Sequence, residues 1–224
     1  MATYTVSAPS IMLKSPSSWG SRADVLSILK KTWLNYGNYI KFASKESNID
    51  PKILASFIAV ESGGKPTAGS GNTQNLMQAN VSYMKSQLEN EYKSNRLSEA
   101  EKQKLAKFGI KFDKNGNTRD ITVKDNHNPE LNILIGSIIL GQLIDQPWAK
   151  DSEGNLKLAS VITVYNAGSY GAWGKIAIKN PSSDPKVLHD ALTGNTTTQA
   201  YIRKMYGING ALDVANNELK DTIA

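Results

Sequence analysis

Residues 50–78 read DPKILASFIAVESGGKPTAGSGNTQNLMQ, and this stretch decides the fold. Asp50-Pro51 places a helix N-cap before a proline at the first helical position, where the missing N–H costs nothing. Leu54, Phe57, Ile58 and Glu61 then follow at i, i+3, i+4 and i+7, so the carboxylate shares a face with the apolar residues. Gly63-Gly64 supplies the stop. Residues 65–75 form a polar loop, and a further helix is expected near Leu76. Glu61 falls in the last helical turn, where the negative end of the helix dipole opposes a second negative charge. Burial and dipole both disfavour the ionised form, which is what a general acid working near neutrality needs. The same position also suits an ordinary glutamate at a fraying helix end, turned to water.

Working outward, Val25, Leu26, Leu29, Trp33, Tyr36, Ile40 and Ala43 recur at three- and four-residue steps. They predict a helix over residues 22–48, interrupted at Gly37. Residues 1–22 are rich in Ser and Pro without periodicity and read as a flexible or docking arm. Downstream, a charged helix is expected from 85 to about 108. KFDKNGNTRDITV then follows at 111–123, with Asn115-Gly116 between alternating segments as the signal of a β-hairpin. Residues 129–145 predict a core helix and residues 158–165 another. A glycine-rich bend is expected at 168–174, a loop with one short helix at 180–198, and helices at 197–206 and 211–223. The fold class is mainly α (α+β), with a small inserted β-hairpin. The domain reading is an arm at 1–22 and a single domain at 23–224, carrying an insertion at 85–124.

The chain of 224 residues is long enough to bury a sizeable core. It contains no cysteine, which excludes a disulfide framework, a cysteine-ligated zinc site and a thiol nucleophile. Twenty-six Lys and Arg against twenty Asp and Glu leave a net charge of +6, which favours polyanionic partners. Residues 85–124 hold ten of the basic residues against six acids and so account for most of that excess. An anionic wall polymer or an assembly partner, rather than nucleic acid, is the expected partner of this segment; a solvated charged helix is the alternative. The N-terminal residues lack the basic and apolar regions of an export signal. The longest apolar run, residues 131–144, is too short to span a bilayer.

ESGGKP followed by Ala68, Ser70 and Asn75-Leu76-Met77-Gln78 resembles the motif block of the soluble lytic transglycosylases and related g-type lysozymes. Three more blocks agree in order: Ile49-Asp50-Pro51 ahead of the catalytic helix, NPELNILIGSIILGQLI at 128–144, and YNAG within VITVYNAGSYGAW at 161–173. Tyr201, in TQAYIRKMYG, resembles the closing helix. The resemblance covers residues 32–206 and implies a lysozyme-like helical domain that degrades peptidoglycan without a cofactor or metal. It implies Glu61 as the catalytic acid/base, and Met77, Gln78, Tyr165 and Asn166 as cleft residues. Ser70 and Tyr201 are further candidates near Glu61 or the sugar. Read from the residues alone, Met77 and the tyrosines are equally core positions, and Asn166 a turn cap. Two departures stand out. Asn75 occupies a glycine position of the family in a loop about one residue short, where asparagine tolerates a left-handed backbone. The 85–124 segment exceeds the family's usual link.

Most glycosidases pair two carboxyls about 5–9.5 Å apart. Between Glu61 and Glu89 this sequence has no Asp or Glu. A lone acid favours transglycosylation assisted by the substrate's own N-acetyl group, giving 1,6-anhydroMurNAc ends from the MurNAc–GlcNAc linkage. A more distant acid, Asp113, Asp125 or Asp151, would allow hydrolysis instead, and a catalytically silent wall-binding module is a third reading. His127 and His189 lack ligand-like spacing, and 113–117 and 151–155 read as turns before cation sites. The expected partner is the peptidoglycan glycan strand, met in the periplasmic or extracellular wall. A phage lysin or virion-associated setting, with 1–22 or 85–124 docking virion or secretion-assembly proteins, completes the expectation.

Overall fold

The computed structural model describes residues 13–219. Eleven α-helices account for the architecture of these residues. α1 (Arg22–Ser47) opens with a capping box between Ser21 and Asp24 and closes on Asn48 in the left-handed region. It buries a single stripe: Val25, Leu29, Thr32, Tyr36, Ile40 and Ala43. Gly37 does not interrupt it. The Trp33 ring lies over Gly37, and the buried stripe on both sides holds the helix through a residue that costs only about 1 kcal/mol against alanine.

α2 (Pro51–Ser62) is the centre of the molecule. The Asp50 side chain accepts from the Lys52 N–H at 2.8 Å, Pro51 fills the first turn, and Gly63 (φ 60°) ends the helix. It is buried nearly all round rather than on one face, because α1, α10 and α11 all pack against it. Every residue from Ile53 to Val60 is buried. That leaves Glu61 as its only charged group directed at the cleft described below.

The expected helix at Leu76 begins later, as α3 (Val81–Lys93), capped by Asn80. Residues 75–79 are instead a non-helical turn whose backbone groups bond to side chains. Met77 N–H donates to Asn132 Oδ1 at 2.9 Å, and the Asn75 side chain bonds both the N–H and the C=O of Ala79. Asn75 therefore closes the turn through its amide rather than through a left-handed backbone, which falls to Gln78 (φ 53°). The charged helix expected over 85–108 is two. α3 ends at Ser94, Asn95 turns left-handed (φ 54°), and a second capping box, Ser98 with Glu101, starts α4 (Glu99–Lys107).

No β-hairpin forms at 111–123, and among the described residues only two isolated bridges occur, Lys14–Ile208 and Lys150–Leu156. The correction has a local cause. Asp113 Oδ1 accepts from the N–H groups of Asn115 (2.8 Å) and Asn117 (2.9 Å), folding 113–117 into a side-chain-closed turn. The backbone beyond it bonds elsewhere: Thr118 N–H donates to Glu89, and the Arg119 guanidinium takes the carbonyls of Gly109 and Phe108. The one backbone bond across the turn, Asp113 N–H to Asn117 O at 2.9 Å, is not continued into a ladder.

The short α5 (Val123–Asn126) leads into α6 (Pro129–Ile144), capped by Asn128 with Pro129 behind it. α6 is apolar on all sides because it divides two cores. Ile133, Leu140 and Ile144 face the main core of α1, α2, α7, α10 and α11. Leu131, Leu134, Ile135, Ile138 and Ile139 face a second, smaller core with Met84, Leu88, Leu97, Leu105, Ile110 and Ile121. The inserted segment is therefore a packed layer. Tyr92 and Phe112 stack at 4.2 Å within it. Much of its charge is neutralised internally: Lys85 pairs with Asp120, Arg96 with Glu91, Lys102 with Glu99, and Arg119 with Asp125. Lys104 reaches Glu130 of α6.

α7 (Leu158–Ala167) runs into a bend and α8 (Ala172–Lys179), a helix the sequence reading did not assign. A Cβ on Gly174 would collide with the Gly168 carbonyl, so glycine is what lets α8 fold back on the bend. α9 (Pro185–Ala191), α10 (Thr196–Tyr206) and α11 (Ala211–Glu218) complete the chain. Of the arm at 1–22, residues 1–12 lie outside the described residues. Residues 13–21 are engaged with the domain: Ile208 N–H donates to Leu13 O at 2.7 Å and Trp19 Nε1 to Asn209 O at 3.1 Å. No helix is long and apolar enough to cross a membrane.

Candidate active site

A cleft of about 390 Å³ opens where the two cores meet. Glu61 enters it from the end of α2, Gln78 and Asn80 from the turn before α3, Ile139 and Leu143 from α6, and Tyr165 and Asn166 from the end of α7. Tyr165 packs against both cores, its ring edge-on to Phe57 at 4.8 Å and its hydroxyl donating to Met77 O at 3.0 Å. One residue thereby ties the α7 terminus to the 75–79 turn and sets two walls of the cleft in register.

Glu61 is partly buried at the cleft floor. Tyr201 Oη, brought in by α10, donates to its Oε1 at 2.6 Å. Burial pushes the Glu61 carboxyl up to about 7, against the opposing effects of the Tyr201 hydrogen bond and the Lys204 charge. With Oε1 accepting from Tyr201, Oε2 is the oxygen left to carry the acidic proton. Tyr165 and Tyr201 are held protonated by burial first and by the neighbouring Glu61 charge second. The arrangement is a carboxyl poised to give and retake one proton near neutral pH. Removing the opposing hydrogen bond should push the carboxyl higher. In Tyr201→Phe, activity that needs protonated Glu61 should persist to higher pH than in the parent, measured as the pH profile of sacculus solubilisation. An unmoved profile would show that Tyr201 does not tune Glu61.

The structure brings Glu61, Gln78, Tyr165, Asn166 and Tyr201 together. Gln78 is locked rather than free: its amide donates to Ala68 O (2.8 Å) and Asn75 O (2.5 Å), bracing the 65–75 loop against the turn. Met77 does not line the cleft. Its side chain is fully buried against Gly136 of α6, where an added Cβ would meet Met77 Cγ at 2.7 Å. Its backbone, gripped by Asn132 and Tyr165, is what shapes the wall. Ser70 lies on the exposed outer loop, its carbonyl accepting from Thr73, and does not reach Glu61. Asp113 and Asp151 close their own turns and Asp125 is paired with Arg119, so none supplies a second acid to the cleft. Among the described residues no group of three or more His, Asp or Glu could hold a metal ion.

Two cleft residues went unread in the sequence. Tyr83 stands in the first turn of α3 and Tyr170 on the bend after YNAG. For Tyr170 the available signal was a bulky aromatic inside a glycine-rich bend.

A helical domain split by one central apolar helix, with a single raised carboxyl in the cleft between its cores, defines a lysozyme-like glycan-cleaving class. The family model described as "Transglycosylase SLT domain" matches residues 38–186, well over half of the chain, and the chain belongs to that family. Its general function is accordingly peptidoglycan degradation of the lytic transglycosylase type, and peptidoglycan is the polymer it binds. No curated protein matches the chain. Tyr201, the partner of Glu61, lies beyond the matched residues.

Proposed function

We propose that the protein is a lytic transglycosylase that cuts the MurNAc–GlcNAc β-1,4 linkage with Glu61 as sole acid and base. One observation carries the reading: among the described residues lining the cleft, Glu61 is the only Asp or Glu. Protonated Glu61 gives its Oε2 proton to the glycosidic oxygen as the C1–O bond breaks. The N-acetyl carbonyl oxygen of the substrate shields the electron-poor C1, the substrate-assisted route open to enzymes without a second carboxylate. The Glu61 carboxylate then takes the proton of the C6 hydroxyl, whose oxygen closes on C1. Glu61 ends protonated, no water is consumed, and the product carries a 1,6-anhydroMurNAc end. The place of action is the periplasmic or extracellular wall.

Mass spectrometry of the products from purified sacculi tests this directly. Anhydro ends are expected. Reducing ends would make the protein a muramidase of the same fold, and binding without soluble products would make it a silent wall-binding module.

A further inference from the structure

We propose that Tyr83 and Tyr170 are a pair of aromatic walls that hold an N-acetylhexosamine ring of the glycan strand beside Glu61. The inference rests on the function proposed above and names residues for its substrate affinity. Both side chains line the same cleft as Glu61, yet they come from elements far apart in the chain. Tyr83 is set by the Asn80 cap, whose Oδ1 accepts from Ser82 N–H at 2.9 Å. Tyr170 is presented by a bend closed by the Gly171 N–H to Gly168 O bond of 3.2 Å.

Tyr170 is 86% exposed and has no hydrogen-bond or ring partner among the described residues. The fold thus leaves a large amphipathic ring in water at the mouth of a cleft. Tyr83 is 36% exposed, and burial first and the Tyr170 phenol second raise its pKa. The chemistry of the lining selects the occupant. Apart from Glu61 no lining side chain is charged, so the ligand portion held here is neutral. Aromatic faces and amide side chains suit a ring with apolar C–H faces and a rim of hydroxyl and acetamido groups.

The test is calorimetric binding of peptide-free glycan strands (alternating N-acetylglucosamine and N-acetylmuramic acid) to the Glu61→Gln protein, which does not consume the ligand. Tyr83→Ala and Tyr170→Ala in that background should each weaken binding at least about tenfold, as for an aromatic anchor. Tyr170→Phe should bind like the parent, because the face and not the hydroxyl makes the contact. In the active enzyme, Tyr170→Ala should raise KM more than it lowers kcat. Alanine variants within twofold of the parent, or a phenylalanine variant as weak as alanine, would overturn the walls while leaving the proposed reaction intact. A parent that binds no glycan would overturn both.

Discussion

Glu61→Gln should reduce release of soluble muropeptides by at least about 10²-fold, and it should at the same time make the protein more stable above pH 7. The catalytic loss follows because glutamine keeps the shape of the side chain and its acceptor for Tyr201, but has no proton to give. The stability gain follows from linkage. The folded carboxyl is raised to about 7 from an ordinary 4.5, so between these values the folded state holds a proton that the unfolded state has lost. Stability contributed by the neutral carboxyl is complete below the unfolded pKa and falls as pH rises through about 7. At about 1.4 kcal/mol per unit, the full penalty is on the order of 3 kcal/mol, and water in the open cleft reduces it to roughly 1–3 kcal/mol. Glutamine escapes it. Urea midpoints of the two proteins should therefore coincide near pH 4 and separate by pH 8, with the variant the more stable. Parent-like lysis by Glu61→Gln would remove the carboxyl from the mechanism, and midpoints that stay parallel across this range would mean that it is not raised. The parent's kcat/KM should also fall as pH rises through about 7, because the acid step starts from the protonated form.

Asn132→Leu should be the most damaging substitution away from the carboxyl. Asn132 is buried in α6. Its Oδ1 accepts the Met77 N–H at 2.9 Å, and its Nδ2 donates to Asn126 Oδ1 at 2.6 Å; Asn126 in turn donates to Ala79 O at 3.3 Å. Leucine fills a similar volume but leaves a buried N–H and a buried amide oxygen without partners. Each orphaned group costs about 1–3 kcal/mol, so the loss from the two should be roughly 2–6 kcal/mol. The effect is also directed at the site. Met77 O receives Tyr165, and the next residue, Gln78, braces the loop, so freeing the Met77 N–H loosens two cleft walls. The urea midpoint should drop with little change in slope, and the folded fraction should lose more activity than a core variant of equal stability does. An unfolding free energy within about 0.5 kcal/mol of the parent's would show that the network does not hold the turn.

Much of the helical framework was legible because its signals are local. Asp50-Pro51 and Asn128-Pro129 announce two helix starts by residue chemistry that acts within one turn, and both helices begin there. The turn at 75–79 was misread because its backbone bonds go to Asn132, more than fifty residues away, and local propensity cannot register such a partner. The hairpin was misread for a related reason. Asn115-Gly116 does mark a turn, but Asp113 closes it with a side chain, and Glu89 takes the Thr118 N–H that follows it. The break at 94–98 was readable, since Ser98 and Glu101 have capping-box spacing, yet the even distribution of charge hid it.

The basic insertion shows how composition and placement part company. The excess of lysine and arginine over residues 85–124 is a property of the sequence. That five of these ten cations meet carboxylates, that Lys93 meets the Asn117 amide oxygen, and that Lys107, Lys111, Lys114 and Lys124 have no ion pair among the described residues, is a property of the packed layer.

By itself the sequence determined a mainly helical chain, the position of Glu61 in the last turn before a glycine stop, the absence of a second acid nearby, and the order of its motif blocks. These follow from side-chain chemistry and spacing within a turn or two of helix. Only the tertiary structure decided which of the motif residues face the cleft. It buries Met77 against Gly136, leaves Ser70 outside, seats Tyr201 on a carboxylate 140 positions away, and brings Tyr83 and Tyr170 to one opening. The reason is geometric: helical periodicity states that a side chain lies on an apolar face, but the element packed against that face decides whether it meets a core or a cleft.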